Sequence, residues 1–339
     1  MTHSDKRTLA RSLQGDAREW PHHIEAVELI DMAYRLRTGE SVAHGLRRLS
    51  RKELLSARDE LRRTSPPHEE AIHEARKSVK KVRAIVELIE ADDGRGLATS
   101  RKRLRKVNST LSQVRDADAM LEILTKLRNK SPHLFDEHTF ARMRHQLSSH
   151  KQASLKAAQD DGAWQKVDEE LRTLRQDARQ WRPTHRRFGA LAAGIRLTYA
   201  RGRKAMARAR KRQLAAVEFH EWRKQVKALW YQLRLIEGCS PAIRKDAALL
   251  HRVETYLGDD HNVVVLCAEL SKDASFCDVE GLRRAADRYQ CDLRQKALAS
   301  TKPMYARTPD TYLRRVERAW NAWQRPKRAN HPRKSRRAA

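Results

Sequence analysis

An eighteen-residue motif occurs twice in this chain, and the repetition restricts it to folds built from two like units. HEARKSVKKVRAIVELIE begins at His73 and HEWRKQVKALWYQLRLIE at His220; nine of the eighteen aligned positions are identical. They are His73/His220, Glu74/Glu221, Arg76/Arg223, Lys77/Lys224, Val79/Val226, Lys80/Lys227, Leu88/Leu235, Ile89/Ile236 and Glu90/Glu237. On a helix the motif is two-faced. Arg76, Lys77 and Lys80 fall within about 60° of His73, whereas Val79, Val82, Ile85, Val86 and Ile89 take the opposite side. The second copy groups Arg223, Lys224, Lys227 and Arg234 around His220 and sets Trp222, Val226, Leu229, Leu233 and Ile236 against them. Each helix therefore turns an apolar stripe to a core and a His-centred cationic stripe away from it.

One Lys/Arg stripe would read as solvated surface, and a lone His as a packed core residue. Here the His sits in the middle of the charged face, and the face is repeated. Like charges at i,i+3 and i,i+4 repel, so a chain that builds this twice is concentrating positive charge for an anion. The charge balance agrees: 72 Lys and Arg stand against 43 Asp and Glu, a formal net charge of +29. The last fifteen residues, RPKRANHPRKSRRAA, hold seven cations and no acid, but the excess extends through the rest of the chain. Such a field draws in polyanions. It does not choose between RNA, DNA, an anionic membrane and an inorganic phosphate polymer.

Low Gly and Pro, 12 and 10 in 339 residues, with long periodic segments rich in Ala, Leu, Arg, Lys, Glu and Gln, predict an all-α fold. No strand hairpin and no Gly-rich phosphate loop is evident. No apolar run reaches the roughly 18 residues of a membrane span, and MTHSDKRTLA has no secretory h-region, which predicts a cytoplasmic protein. Cys239, Cys267, Cys277 and Cys291 form no C-x-x-C pair and read as reduced apolar residues. No H-E-x-x-H occurs, so neither a metal site, a cofactor nor a catalytic residue is expected. Helices are predicted at about 41–63, 68–91, 97–128, 135–159, 163–182, 188–213, 218–237, 241–271, 281–299 and 310–324, after a short amphipathic helix around 24–36. Residues 1–38 then form a polar N-terminal segment and 39–325 one domain, with halves at about 39–182 and 183–325. Residues 326–339 read as a basic disordered tail.

The repeat reaches beyond the motif. Leu111-Ser112-Gln113-Val114-Arg115-Asp116 precedes Leu257-Gly258-Asp259-Asp260-His261-Asn262 by 146 residues, and Ala43-His44-Gly45-Leu46-Arg47-Arg48 matches Ala192-Ala193-Gly194-Ile195-Arg196-Leu197 in place. With H-x-x-R-K-x-x-K in both halves, Arg115-Asp116 and Leu257-Gly258, the chain resembles the CHAD domain, the conserved histidine α-helical domain, over about residues 40–325. The resemblance implies two pseudo-symmetric four-helix bundles in the stand-alone form. It also implies a basic groove, lined by the two His helices, that binds inorganic polyphosphate, with association with polyphosphate granules. Candidate phosphate contacts are His73, Arg76, Lys77, Lys80, Arg83, His220, Arg223, Lys224, Lys227 and Arg234, joined by Arg47, Arg48, Arg115, Arg201 and Lys204. Ser112 departs from the family's usual Gly, and His261-Asn262 from its usual pair; Asp116 reads as a local turn or helix-start contact, with orienting a cation as the alternative. In this reading Arg forks over phosphate oxygens, Lys adds mobile point charges, and protonated His donates from both nitrogens.

Two other classes remain. Nucleic-acid binding suits the charge, but aromatic residues make up 6% of the chain and the motif faces offer only Tyr231 and Trp230 for stacking. A polyphosphate hydrolase or phosphohistidine transferase would need a carboxylate-oriented His or an acidic Mg²⁺ site, and the His faces carry few carboxylates. A binding module is the expectation.

Overall fold

In the computed structural model, residues 34–93, 96–211, 216–273 and 280–325 are described, and among them ten α-helices and two short 3-10 turns account for all regular structure. The first half supplies α1 (Val42–Leu61), α2 (Glu69–Asp93), α3 (Ala98–Lys130), α4 (Glu137–Asp160) and α5 (Ala163–Asp177). The second supplies α6 (Gly189–Lys211), α7 (Ala216–Arg234), α8 (Pro241–Leu270), α9 (Glu280–Tyr305) and α10 (Pro309–Gln324). Local chemistry sets these limits. The side chains of Ser41, Asp136, Ser240 and Thr308 each accept from the backbone N–H three residues on, and Pro241 and Pro309 occupy first-turn positions. Gly162, at φ 61°, makes the left-handed turn between α4 and α5.

Two helix ends depart most from the sequence reading: α5 stops at Asp177, short of the expected 182, and α9 overruns. α9 runs through Pro303 to Tyr305, beyond the expected stop near residue 299. Tertiary bonds hold that last turn: the Tyr199 hydroxyl donates to Met304 O and Arg203 Nε to Tyr305 O.

Packing repeats with the sequence. α1 packs on α2, α2 on α3 and α3 on α4, as α6 packs on α7, α7 on α8 and α8 on α9. The apolar clusters, however, cut across the two halves. α1, α2, α5, α6, α7, α10 and the inner parts of α3 and α8 share one core. The outer ends of α3 and α8, with α4 and α9, form a second one around Met120, Leu124, Phe140, Met143, Val263, Leu266, Tyr289 and Leu293, so this cluster draws two helices from each half. The expected stripes are the buried ones. Val79, Val82, Ile85, Val86 and Ile89, like Trp222, Val226, Leu229, Leu233 and Ile236, are almost wholly out of solvent.

The halves also differ at one crossing. Gly194 of α6 meets α2 so closely that an added Cβ would lie 2.9 Å from Leu88 Cα. Its counterpart Gly45 meets Leu36 instead. Residues 34–37 are not helical, which corrects the end of the helix expected around 24–36; residues 24–33 lie outside the described residues. Leu36 N donates to Leu235 O and Tyr34 Oη to Lys81 O, so this non-helical segment ties α2 to the end of α7. Cys239, Cys267 and Cys291 are free thiols; Cys277 lies outside the described residues.

Candidate anion-binding cavity

Burying the apolar stripes of α2 and α7 fixes the direction of their cationic faces. The two helices pack against each other, as do α3 and α8, and the four enclose a cavity of about 520 Å³. His73, Arg76, Lys80 and Arg83 reach it from α2, and His220, Arg223, Lys224 and Lys227 from α7. Asn108, Ser112, Arg115 and Asp116 line it from α3, and Glu254, Gly258, Asp259, His261 and Asn262 from α8. Both copies of the 111–116/257–262 extension thus border the same space, whereas the 43–48/192–197 extension does not.

The repeat is visible in the contacts, with informative differences. In the first half Arg115 Nε donates to His73 Nδ1 at 3.3 Å. At the equivalent place in the second half the His261 ring lies against His220, with centroids 4.4 Å apart. Arg76 Nη2 donates to Ser112 Oγ at 2.8 Å, and where Ser112 stands the second half has Gly258, whose missing side chain leaves room beside Arg223. Lys227 and Arg223 both donate to Glu254. Lys80, the counterpart of Lys227, makes no hydrogen bond or ion pair among the described residues.

The electrostatics follow. Desolvation holds the Lys80 ammonium well below the usual lysine range, and Lys227, Arg76 and Arg223 push the same way against Glu254. Lys227 is lowered for the same first reason. His73, exposed at the rim, is pushed down to about 4 by desolvation of its ring and then by Arg115 and Lys77. His261 is likewise pushed to about 4, and His220 is lowered, each chiefly by desolvation. Desolvation first, and the neighbouring cations second, thus disfavour the protonated imidazoles in the free protein; an anion in the cavity would act in the opposite sense. In addition, Arg76 Nε, Arg83 Nε, Arg223 Nε and His220 Nδ1 are buried with no hydrogen-bond partner among the described residues. A buried donor left unmet costs about 1–3 kcal/mol, and an oxyanion in the cavity would offer acceptors.

Several predicted residues lie elsewhere. Lys77 and Lys224 pair with Glu74 and Glu221 one turn away, and Lys77 does not line the cavity. Arg234 is buried at the end of α7 over the rings of Tyr34, Trp230 and Tyr231. Arg48 is held by Glu40 and Arg35 O, and Arg47 does not reach the cavity. Arg201 and Lys204 line a separate recess between α6 and α7. The cavity also contains carboxylates: Glu87, which the motif itself places on the His73 face, and Asp116, Glu122, Glu254 and Asp259, which come from α3 and α8 outside the motif. Each has a cationic neighbour, namely Arg83, Arg76, Arg115, Lys227 and Lys126 respectively. Asp116 thus contacts a motif arginine at 3.6 Å rather than a helix start. No group of carboxylates, histidines and cysteines suited to a metal ion occurs among the described residues.

Comparison with known families matches the CHAD domain over residues 48–271. The fold is similar to the crystal structure of the CHAD domain from the plant Ricinus communis, with a TM-score of 0.52 and 15% identity, covering 86% of this chain and 95% of that one. This α-helical chain belongs to the CHAD domain family. No curated protein matches it. Among the described residues no helix is long and apolar enough to cross a membrane.

Proposed function

We propose that the cavity between α2 and α7 binds inorganic polyphosphate. The observation that carries this reading is the convergence of Arg76, Lys80, Arg223 and Lys227, from two helices, on one space where Lys80 and several guanidinium donors have no partner among the described residues. Such cations repel one another and cost the fold stability; a multivalent anion removes that cost. Guanidinium groups fork over phosphate oxygens, and much of the affinity comes from release of counter-ions. Among the lining residues Tyr231 alone offers a six-membered ring, and that ring is buried. The walls therefore suit a bare phosphate chain better than bases that need stacking.

We read the domain as a binding module rather than a hydrolase. The cavity carboxylates are dispersed against cations, which neutralises them instead of gathering them for metal-assisted attack. Its place in the cell would be the cytoplasm, at polyphosphate granules.

Calorimetry with long-chain polyphosphate over a range of salt, with RNA as competitor at matched salt, tests the reading. Binding should weaken steeply with salt and survive RNA competition. Lys80→Gln should cost about tenfold or more and Lys77→Gln only about twofold, since Lys77 is half exposed and already paired. Equal losses, or preference for RNA, would remove the cavity from the account.

A further inference from the structure

We propose that Glu254 is a built-in counter-ion standing where one ligand phosphate would lie, and that it sets how many phosphates an anion must offer before it binds. The inference rests on the reading of the cavity as a polyphosphate site and concerns selectivity within it.

Glu254 rises from α8 with its side chain 13% exposed and accepts from Lys227 Nζ and from Arg223 Nη2, the latter at 3.4 Å. Burial alone would raise its pKa, but Lys227, Arg223 and Lys80 outweigh burial and keep it a carboxylate. The position 146 residues earlier, on α3, is Asn108. It lines the same cavity and is neutral. Of the first-half pair, neither Arg76 nor Lys80 makes an ion pair with a buried carboxylate, although Lys80 feels the charge of Glu254. Arg76 donates to the neutral Ser112, and its carboxylate neighbour is the half-exposed Asp116, at 3.6 Å. The remaining acids belong to the margins: Glu122 is exposed beside Arg115, Glu87 pairs loosely with Arg83, and Asp259 is held by Lys126 and the Tyr289 hydroxyl.

An anion that takes Lys227 and Arg223 must break two charge-assisted bonds and leave a carboxylate beside its own charge. A single orthophosphate gains too little in return. A chain that also reaches Arg76, Lys80 and Arg115 gains several new contacts for the same loss. The carboxylate thus favours linear polyphosphates over orthophosphate.

The test titrates orthophosphate, tripolyphosphate and long-chain polyphosphate into the full chain, Glu254→Gln and Asn108→Glu. Glu254→Gln should bind tripolyphosphate about tenfold tighter, steepen the salt slope by about one, and narrow the ratio between long-chain and orthophosphate affinity. Asn108→Glu, which adds a second counter-ion, should weaken tripolyphosphate by a similar factor. If binding persists but neither substitution moves it, Glu254 has no such role and the polyphosphate reading stands. If the unsubstituted chain ignores every phosphate, both ideas fail. Should Glu254→Gln not fold, Asn108→Glu decides alone, and unchanged affinity there overturns the proposal.

Discussion

His73 and His220 occupy equivalent places but meet different partners, a guanidinium in one case and a second imidazole in the other. Both titrate below the ordinary histidine value. A group whose folded pKa is depressed destabilises the fold as pH falls from the unfolded value, about 6.5, towards the folded one. For His73 that interval runs down to about 4. Phosphate in the cavity would oppose the cations and raise the pKa, so binding at about pH 6 should take up protons. Calorimetry in two buffers of different ionisation enthalpy reads this directly, and His73→Gln should reduce the uptake. No uptake would mean that the imidazole stays away from the ligand. The motif itself revealed the histidines, since helical spacing placed them among the cations. Their downward shift was hidden, because it depends on desolvation and, at His73, on Arg115 from a helix distant in sequence.

At the scale of elements, α2 and α7 were legible because their apolar and cationic stripes follow one helical period, and most boundaries because Ser, Asp, Thr and Pro cap helices in recognisable places. What the pattern missed came from tertiary contact. Arg234 shares the cationic face on paper, yet α7 ends at that residue and Tyr34 covers it. Glu254 sits on α8, outside the motif, and only the crossing of helices brings it to Lys227. The crossing of α2 and α6 is itself a point of sensitivity. Gly194→Ala should destabilise the protein by about 1–3 kcal/mol, because the added methyl meets Leu88 backbone as well as its side chain. Gly238, with nothing within 4 Å of an added Cβ, serves as the control. Thermal or urea melts compare the two; an equal effect would show that the α2–α6 crossing tolerates expansion.

Across the whole molecule, the positive charge divides between a fixed cavity and the terminal stretch 326–339, which lies outside the described residues. Cations spread along a polar sequence attract a polyanion at long range without shaping a site. Deleting 326–339 should therefore slow association and lower affinity modestly while preference for polyphosphate over RNA is retained. Replacing Arg76, Lys77, Arg223 and Lys224 by Ala should abolish the preference. Stopped-flow and competition measurements separate these effects, and the reverse pattern would make the terminus the selective element. The interleaved cores carry a further consequence. A single half would leave the outer ends of α3 and α4 without the α8 and α9 surfaces that cover them, so it would have to pair with a copy of itself. An axis relating identical subunits forces every residue on one side to recur on the other. Joining the two copies in one chain lifts that constraint, and each half can then mutate independently. Asn108 opposite Glu254, and Arg115 opposite His261, are what such freedom permits: equivalent places of the repeat that hold different chemistry, one side neutral where the other holds an acid.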